Sequence, residues 1–199
     1  LMALGMAAMQ NGVFARIVGL SQATIPVAGT VYNVDAVLGQ SGIVGIKTGS
    51  GLNLGANFLF AANETVDGRV LVIYGCVMGQ PTLAIAFARA QTLIAAMLPA
   101  LHVRRVVARN ETLGTYVTPW GAQSDLISTV DVDLAEWPGM VLRERLDANP
   151  IVVSQPLPSS TQEGTEHIVL GDYDLQAPAV TANPLYPPGR LWRLTRLSF

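Results

Sequence analysis

Lysine is almost missing from this sequence: Lys47 stands alone beside eleven arginines. Charge of either sign is scarce, at 13% of residues, about half the ~25% usual for a globular chain. The net charge of −2 leaves no basic footprint and excludes nucleic acid as a partner class. Cysteine is reduced to Cys76, so no internal disulfide can form. Within the strand-like run VLVIYGCVMG this thiol reads as buried and inert. A nucleophilic thiol would need a nearby histidine, and His102 and His167 fall in other segments. No run reaches the roughly 20 apolar residues of a membrane-spanning helix. Residues 1–9 are apolar, but they lack the charged start and cleavage site of a signal peptide. The chain begins without Met, inside a helical pattern that no capping residue precedes. That leads to the expectation of a fragment whose natural start lies upstream. The alternative is an ordinary apolar domain with a long core helix.

What is present is apolar, since hydrophobic residues make up 50% of the chain. The remaining charge is uneven. Residues 1–100 carry four basic and three acidic side chains, and residues 101–199 carry eight and eleven. In the first half, residues 1–18 read as one helix with Gly12 as a weak point. Residues 21–41 read as irregular, 42–48 as a strand, 50–55 as a turn and 56–62 as a second strand. NETVDG, residues 63–68, has hairpin-loop chemistry. Residues 69–78 are continuously apolar, as in a strand buried on both faces. Pro81 suits the first turn of a helix over 82–98, whose stripe is Leu83, Phe87, Ala90, Ile94 and Met97. Pro99 ends it. Beyond residue 100, short β-rich runs at 103–107, 115–118, 126–132, 140–142, 151–153 and 167–170 alternate with turns such as PWGA and LDANP. Residues 155–165 read as a polar loop. Two domains are expected, 1–100 and a β-rich 101–199.

The one lysine lies in VGIKTGSG, residues 44–51. A phosphate loop is excluded, because that motif needs glycine directly before the lysine and a helix after it. Ile46 occupies the glycine's place, and an apolar strand run precedes the lysine. The triplet Lys47-Thr48-Gly49 at the end of a hydrophobic strand resembles the third signature of penicillin-recognising serine enzymes. Its surroundings, GIKTGSGLNLGANFLFAA, are similar to those in D-alanyl-D-alanine carboxypeptidases, the low-molecular-weight penicillin-binding proteins of serine type. The upstream VYNVDAVLGQSGIVG and the downstream VMG match the family in kind, and so does a β-rich module after the closing helix.

The resemblance implies an α/β fold class. A mixed antiparallel sheet with helices, the end of a penicillin-binding transpeptidase-like domain, would be followed by a small all-β domain. It implies serine acyl-enzyme chemistry on a peptidoglycan stem peptide ending in D-Ala-D-Ala, reactivity with β-lactam antibiotics, no cofactor and an extracytoplasmic cell-envelope location. Lys47 would supply positive charge and Thr48 a hydrogen bond to the substrate carboxylate. Gly49 would let the substrate lie against the strand. The N–H of Ser50 would form half of an oxyanion hole.

Two of the family's elements are absent. With one lysine there is no S-x-x-K, and S-x-N is missing too, its nearest approach being Ser124-Asp125-Leu126. This chain alone is therefore expected to lack turnover. A carboxylate-holding arginine early in the closing helix has only Arg89 as a candidate, at the wrong offset. A non-catalytic envelope interaction protein of the same fold and a serine β-lactamase stand as alternatives. No metal is expected, since His102 and His167 lack ligand-spaced partners. Asp131, Asp133 and Glu136 read as a solvated loop. GRLWRLTRLSF at the end reads as a final strand or helix, or as a basic-aromatic segment before a membrane anchor. The charge-poor first half is expected to expose an apolar face and to self-associate.

Overall fold

A computed structural model describes residues 1–51, 53–171 and 173–195. They divide into two compact units, Leu1–His102 and Val103–Phe199. The mixed α/β class with antiparallel sheets, ending in a β-rich unit, is the architecture expected from the sequence.

The first unit begins with two helices where the sequence pattern predicts one, α1 (Met2–Met9) and α2 (Gly12–Val18). The break comes from Asn11, whose side chain accepts hydrogen bonds from the N–H groups of Val13 (2.9 Å) and Phe14 (3.2 Å). This is an N-cap that restarts the helix. The stretch expected to be irregular contains a hairpin, β1 (Gln22–Ile25) with β2 (Gly29–Tyr32).

Next come β3 (Ile43–Gly51), β4 (Gly55–Val66) and β5 (Arg69–Gln80), in an antiparallel sheet of order β3-β4-β5. Ser50 and Gly51 belong to β3 and not to a turn. The hairpin loop shrinks from NETVDG to Asp67-Gly68, because Val66 and Arg69 already pair. Both turn residues have positive φ, 49° and 77°, as a two-residue hairpin matched to strand twist requires. β5 is not buried on both faces: Val70 and Val72 are exposed.

After Pro81, which precedes the helix and does not open it, Thr82 caps α3 (Leu83–Met97) by accepting from Ile85 N–H at 3.2 Å. Phe87, Ala90 and Ile94 of its expected stripe are buried, and Met97 is exposed. Phe87 meets Phe58 of β4 edge to face, with centroids 4.9 Å apart. Phe60 also points into this core and fills the space above Gly75, where a Cβ would stand 2.2 Å from the Phe60 ring. A turn of 3-10 helix at Leu98–Ala100 ends the unit's helical part.

The second unit holds β6 (His102–Val107), β7 (Thr112–Val117), β8 (Gln123–Ser128), β9 (Val132–Glu136), β10 (Leu142–Ala148), β11 (Gln162–Leu170), β12 (Tyr173–Thr181) and the short helix α4 (Arg190–Leu194). One antiparallel sheet has the order β10-β11-β12-β8-β7, and β6 pairs with β9. Their shared core includes Val107, Val132, Ile168 and Ala177. The single run read at 126–132 is two strands, and the polar loop ends at Thr161. Residues 151–153 form no strand, and 140–141 precede β10. The acidic cluster is ion-paired and not merely solvated. Arg105 reaches Asp133 (3.0 Å) and Asp131 (3.3 Å), and Arg104 reaches Glu136 (2.8 Å), tying β6 to β9. The final segment is helical as far as Leu194, and residues 196–199 lie outside the described part.

Candidate functional site

β3 is an outer strand, and its free edge carries Lys47-Thr48-Gly49-Ser50. Register sets Lys47 opposite Leu59, Thr48 opposite Phe58, Gly49 opposite Asn57 and Ser50 opposite Ala56. Side chains alternate along a strand, so Lys47, the Gly49 position, Asn57 and Leu59 share one face. Phe58 lies on the other face, against α3. The Lys47 face looks onto α1 and α2 across an open cavity of about 530 Å³. Leu4, Gly5, Ala8 and Phe14 wall it on the helix side. Gly5 allows this close fit, because a Cβ there would stand 2.9 Å from Leu59.

A bulge between Ile43 and Gly45 precedes the triplet. Gly45, at φ +145°, lets the end of α2 approach, since a Cβ would meet Val18 at 2.8 Å. Asn33, just after β2, holds the end of α2 by donating to the carbonyls of Val18 (3.0 Å) and Leu20 (2.9 Å). At Gly45, two residues before Lys47, the strand therefore packs closely against the end of α2.

Lys47 is exposed, and its Nζ donates to the backbone carbonyl of its neighbour Thr48. Among the described residues no carboxylate pairs with it. Thr48 is half-buried, Gly49 and Ser50 are exposed, and Thr48 and Gly49 line the same cavity. The arrangement sets an ammonium, a threonine and a bare backbone position in sequence along one outer strand edge. Such a set can hold an anionic, extended ligand.

Asn57 was not legible as a site residue. Its Oδ1 accepts from Gly79 N–H at 2.9 Å, and its Nδ2 donates to Gly55 O at 3.3 Å. It stands at the bulge between Ala56 and Phe58, where the β4–β5 ladder slips, and ties the ends of both hairpin arms beside the triplet. The signal for it was one amide in the otherwise apolar ANFLFAA. Asp35, in the approach to β3, is buried, and burial raises its pKa. Its Oδ1 accepts from Val37 N–H at 3.1 Å, and Oδ2 has no hydrogen-bond partner among the described residues.

Other candidates fall elsewhere. Arg89 is exposed on α3 and does not line the cavity. Cys76 is half-buried on β5, less enclosed than expected. His102 lies 3.7 Å from Asp67. His167 Nδ1 is 2.8 Å from Asp174, and this hydrogen bond holds the Asp174 carboxyl below its ordinary range. Among the described residues no group of His, Cys, Asp and Glu could hold a metal ion.

No family model and no curated protein matches the sequence. Solved structures match the fold. A peptidoglycan synthesis regulatory factor (PBP3) from Streptococcus pneumoniae aligns with a TM-score of 0.61 at 16% identity, over 92% of this chain and 54% of that one. Penicillin binding protein 5 from Haemophilus influenzae aligns with a TM-score of 0.57 at 15% identity, over 94% of this chain and 55% of that one. The chain spans about half the length of these structures, and at such identities the likeness is one of fold.

Proposed function

We propose that this chain carries the carboxylate-binding strand of a serine acyl-transfer enzyme acting on peptidoglycan stem peptides that end in D-Ala-D-Ala. In this reading residues 1–100 close the catalytic domain, and 101–199 form a β-rich accessory module. The observation that carries the reading is Lys47-Thr48-Gly49 on the open edge of β3, beside a cavity, in a fold like that of penicillin binding protein 5. The peptide would lie along β3 as an added strand over Gly49. Its terminal carboxylate would meet the Lys47 ammonium and the Thr48 hydroxyl, as charge-assisted hydrogen bonds favour. The Ser50 N–H would donate to the carbonyl oxygen as it gains charge. Losing one such donor commonly costs on the order of 100- to 1,000-fold in rate. A compact ammonium fits such a crowded polar corner better than a planar guanidinium, which gives a reason for lysine at this position in a chain otherwise served by arginine.

The serine and its base are not among these residues, so the chain by itself binds and does not turn over. The corresponding location is the cell envelope, outside the cytoplasm. The test is labelling of the native protein, as produced in its own cells, with a fluorescent penicillin. A covalent adduct that is lost in Lys47→Ala supports the enzyme. No labelling with Lys47 intact would favour a non-catalytic relative of the same fold. Rapid release of hydrolysed penicillin without D-Ala-D-Ala cleavage would favour a β-lactamase.

A further inference from the structure

A second groove lies within the β-rich unit, independent of the lysine site. It has a volume of about 670 Å³ and runs between the end of β7 and residues 150–154. β7 is an outer strand, paired only with β8, and Val117 near its end is 64% exposed. The opposite wall is the run Ile151-Val152-Val153, whose composition is that of a strand. It nevertheless belongs to no ladder. Its three N–H groups donate to no acceptor among the described residues, and the Val152 side chain is 91% exposed. Both walls therefore present backbone with unmet pairing capacity, and aliphatic side chains that water solvates poorly.

The groove is held open by specific contacts. Tyr116 Oη donates to Asn149 O at 2.6 Å, bridging the two walls at one end. Trp120 is fixed by donating from Nε1 to Tyr186 O at 2.9 Å and by an edge-to-face contact with Trp192, centroids 5.5 Å apart. Among the described residues Arg193 is the one charged side chain lining the groove, and no carboxylate pairs with it. Arg193 makes its end of the groove cationic, whereas Glu163 borders residues 151–154 on their other side.

We infer that this groove binds an extended segment of a partner polypeptide, rich in β-branched aliphatics and bearing one carboxylate side chain that meets Arg193. Backbone pairing along an open strand edge supplies affinity in such recognition, and alternate side chains supply selectivity. A sugar is a poorer occupant. Its hydroxyls need free side-chain hydrogen-bonding groups, and the Tyr116, Thr118 and Trp120 donors of these walls already bond to backbone carbonyls. A carboxylate matches the lone guanidinium in charge and in hydrogen-bonding geometry.

The test uses the whole ¹⁵N-labelled chain and an arrayed set of blocked octapeptides. The peptides alternate valine, isoleucine and threonine, with one glutamate at each position in turn, and each has a glutamine counterpart. The expected result is saturable movement of the Val117 and 151–153 amide signals by glutamate peptides. Binding should weaken about tenfold or more in the glutamine counterparts. Arg193→Gln should erase that difference, and N-methylation of the peptide backbone should abolish binding by either series. Since Arg193 is exposed on a short helix, its replacement leaves the core intact. The inference is overturned if no peptide in the set moves these signals at about 1 mM. Equal binding of glutamate and glutamine peptides, or indifference to N-methylation, overturns it as well. Movement of the same signals on simple dilution of the chain would make a second copy the occupant and would also refute it.

Discussion

Replacing Gly49 by valine separates what the fold needs from what a ligand on the β3 edge needs. A Cβ at this position would meet nothing within 4 Å, and the backbone φ lies outside the glycine-only region. Glycine inside a strand costs about 0.5–1 kcal/mol through its extra freedom in the unfolded chain, so Gly49→Val is neutral to stabilising by up to about 1 kcal/mol. A ligand lying over this position would meet the new isopropyl group. Forcing extra methyl groups into a close contact costs about 1–3 kcal/mol, which corresponds to roughly 5- to 150-fold weaker binding. Urea unfolding reads the first quantity. Titration of the ¹⁵N-labelled chain with N-acetyl-D-Ala-D-Ala reads the second, through the amides of residues 48–50. Binding within about twofold of wild type would refute the idea that the ligand crosses Gly49. A clear loss of stability would refute the claim that the edge is open at that point.

Three further outcomes follow from particular contacts. Asn57→Ala removes hydrogen bonds to Gly79 N–H and Gly55 O. At about 0.5–1.5 kcal/mol each it should lose about 1–3 kcal/mol by urea unfolding, with faster amide exchange at residues 49–51. Glu166 is 7% exposed, and burial, followed by the nearby Glu144, raises its carboxyl above the ordinary value of 4.5. The folded state holds that proton to higher pH than the unfolded chain does, so stability falls as pH rises through and above 4.5. Glu166→Gln should therefore be more stable than wild type at pH 7 and nearly equal to it at pH 4, as thermal unfolding at the two values would show. Finally, Leu4, Val13 and Ile17 are exposed on the first two helices, and Val70 and Val72 on β5. Light scattering should accordingly show concentration-dependent self-association of this chain, and a monodisperse monomer would count against it.

The Lys47-Thr48-Gly49 triplet was legible because its three residues are adjacent and need no partner from elsewhere in the chain. Its register against β4, and the shared face with Asn57 and Leu59, were not, since pairing is set by bulges that composition does not show. The break between α1 and α2 was written in Asn11, but the apolar spacing around it ran on and hid the cap. β4 extends further than expected because Asp67-Gly68 alone suffices for the turn, which leaves Asn63, Glu64 and Thr65 in the strand. β12 was invisible owing to Pro178, which argues against an inner strand. The proline is tolerated because pairing with β8 begins only at Ala179, so its missing N–H falls where β12 has one neighbour, β11. β10 was read too early and too short because its residues are mostly charged, as suits a sheet edge. The opposite error occurred at 151–153, where strand-like residues line a groove and join no sheet.

In the proposed binding mode Lys47 and Thr48 receive the terminal carboxylate of a D-Ala-D-Ala peptide, and the Ser50 N–H meets its carbonyl oxygen. The most direct measurement compares N-acetyl-D-Ala-D-Ala with its C-terminal amide, each titrated into the ¹⁵N-labelled chain and into Lys47→Ala. Saturable shifts of the residue 48–50 amides are expected with the free acid alone, lost in Lys47→Ala while the rest of the spectrum is unchanged. Equal shifts with the amide, or shifts that survive the loss of Lys47, would contradict this binding mode.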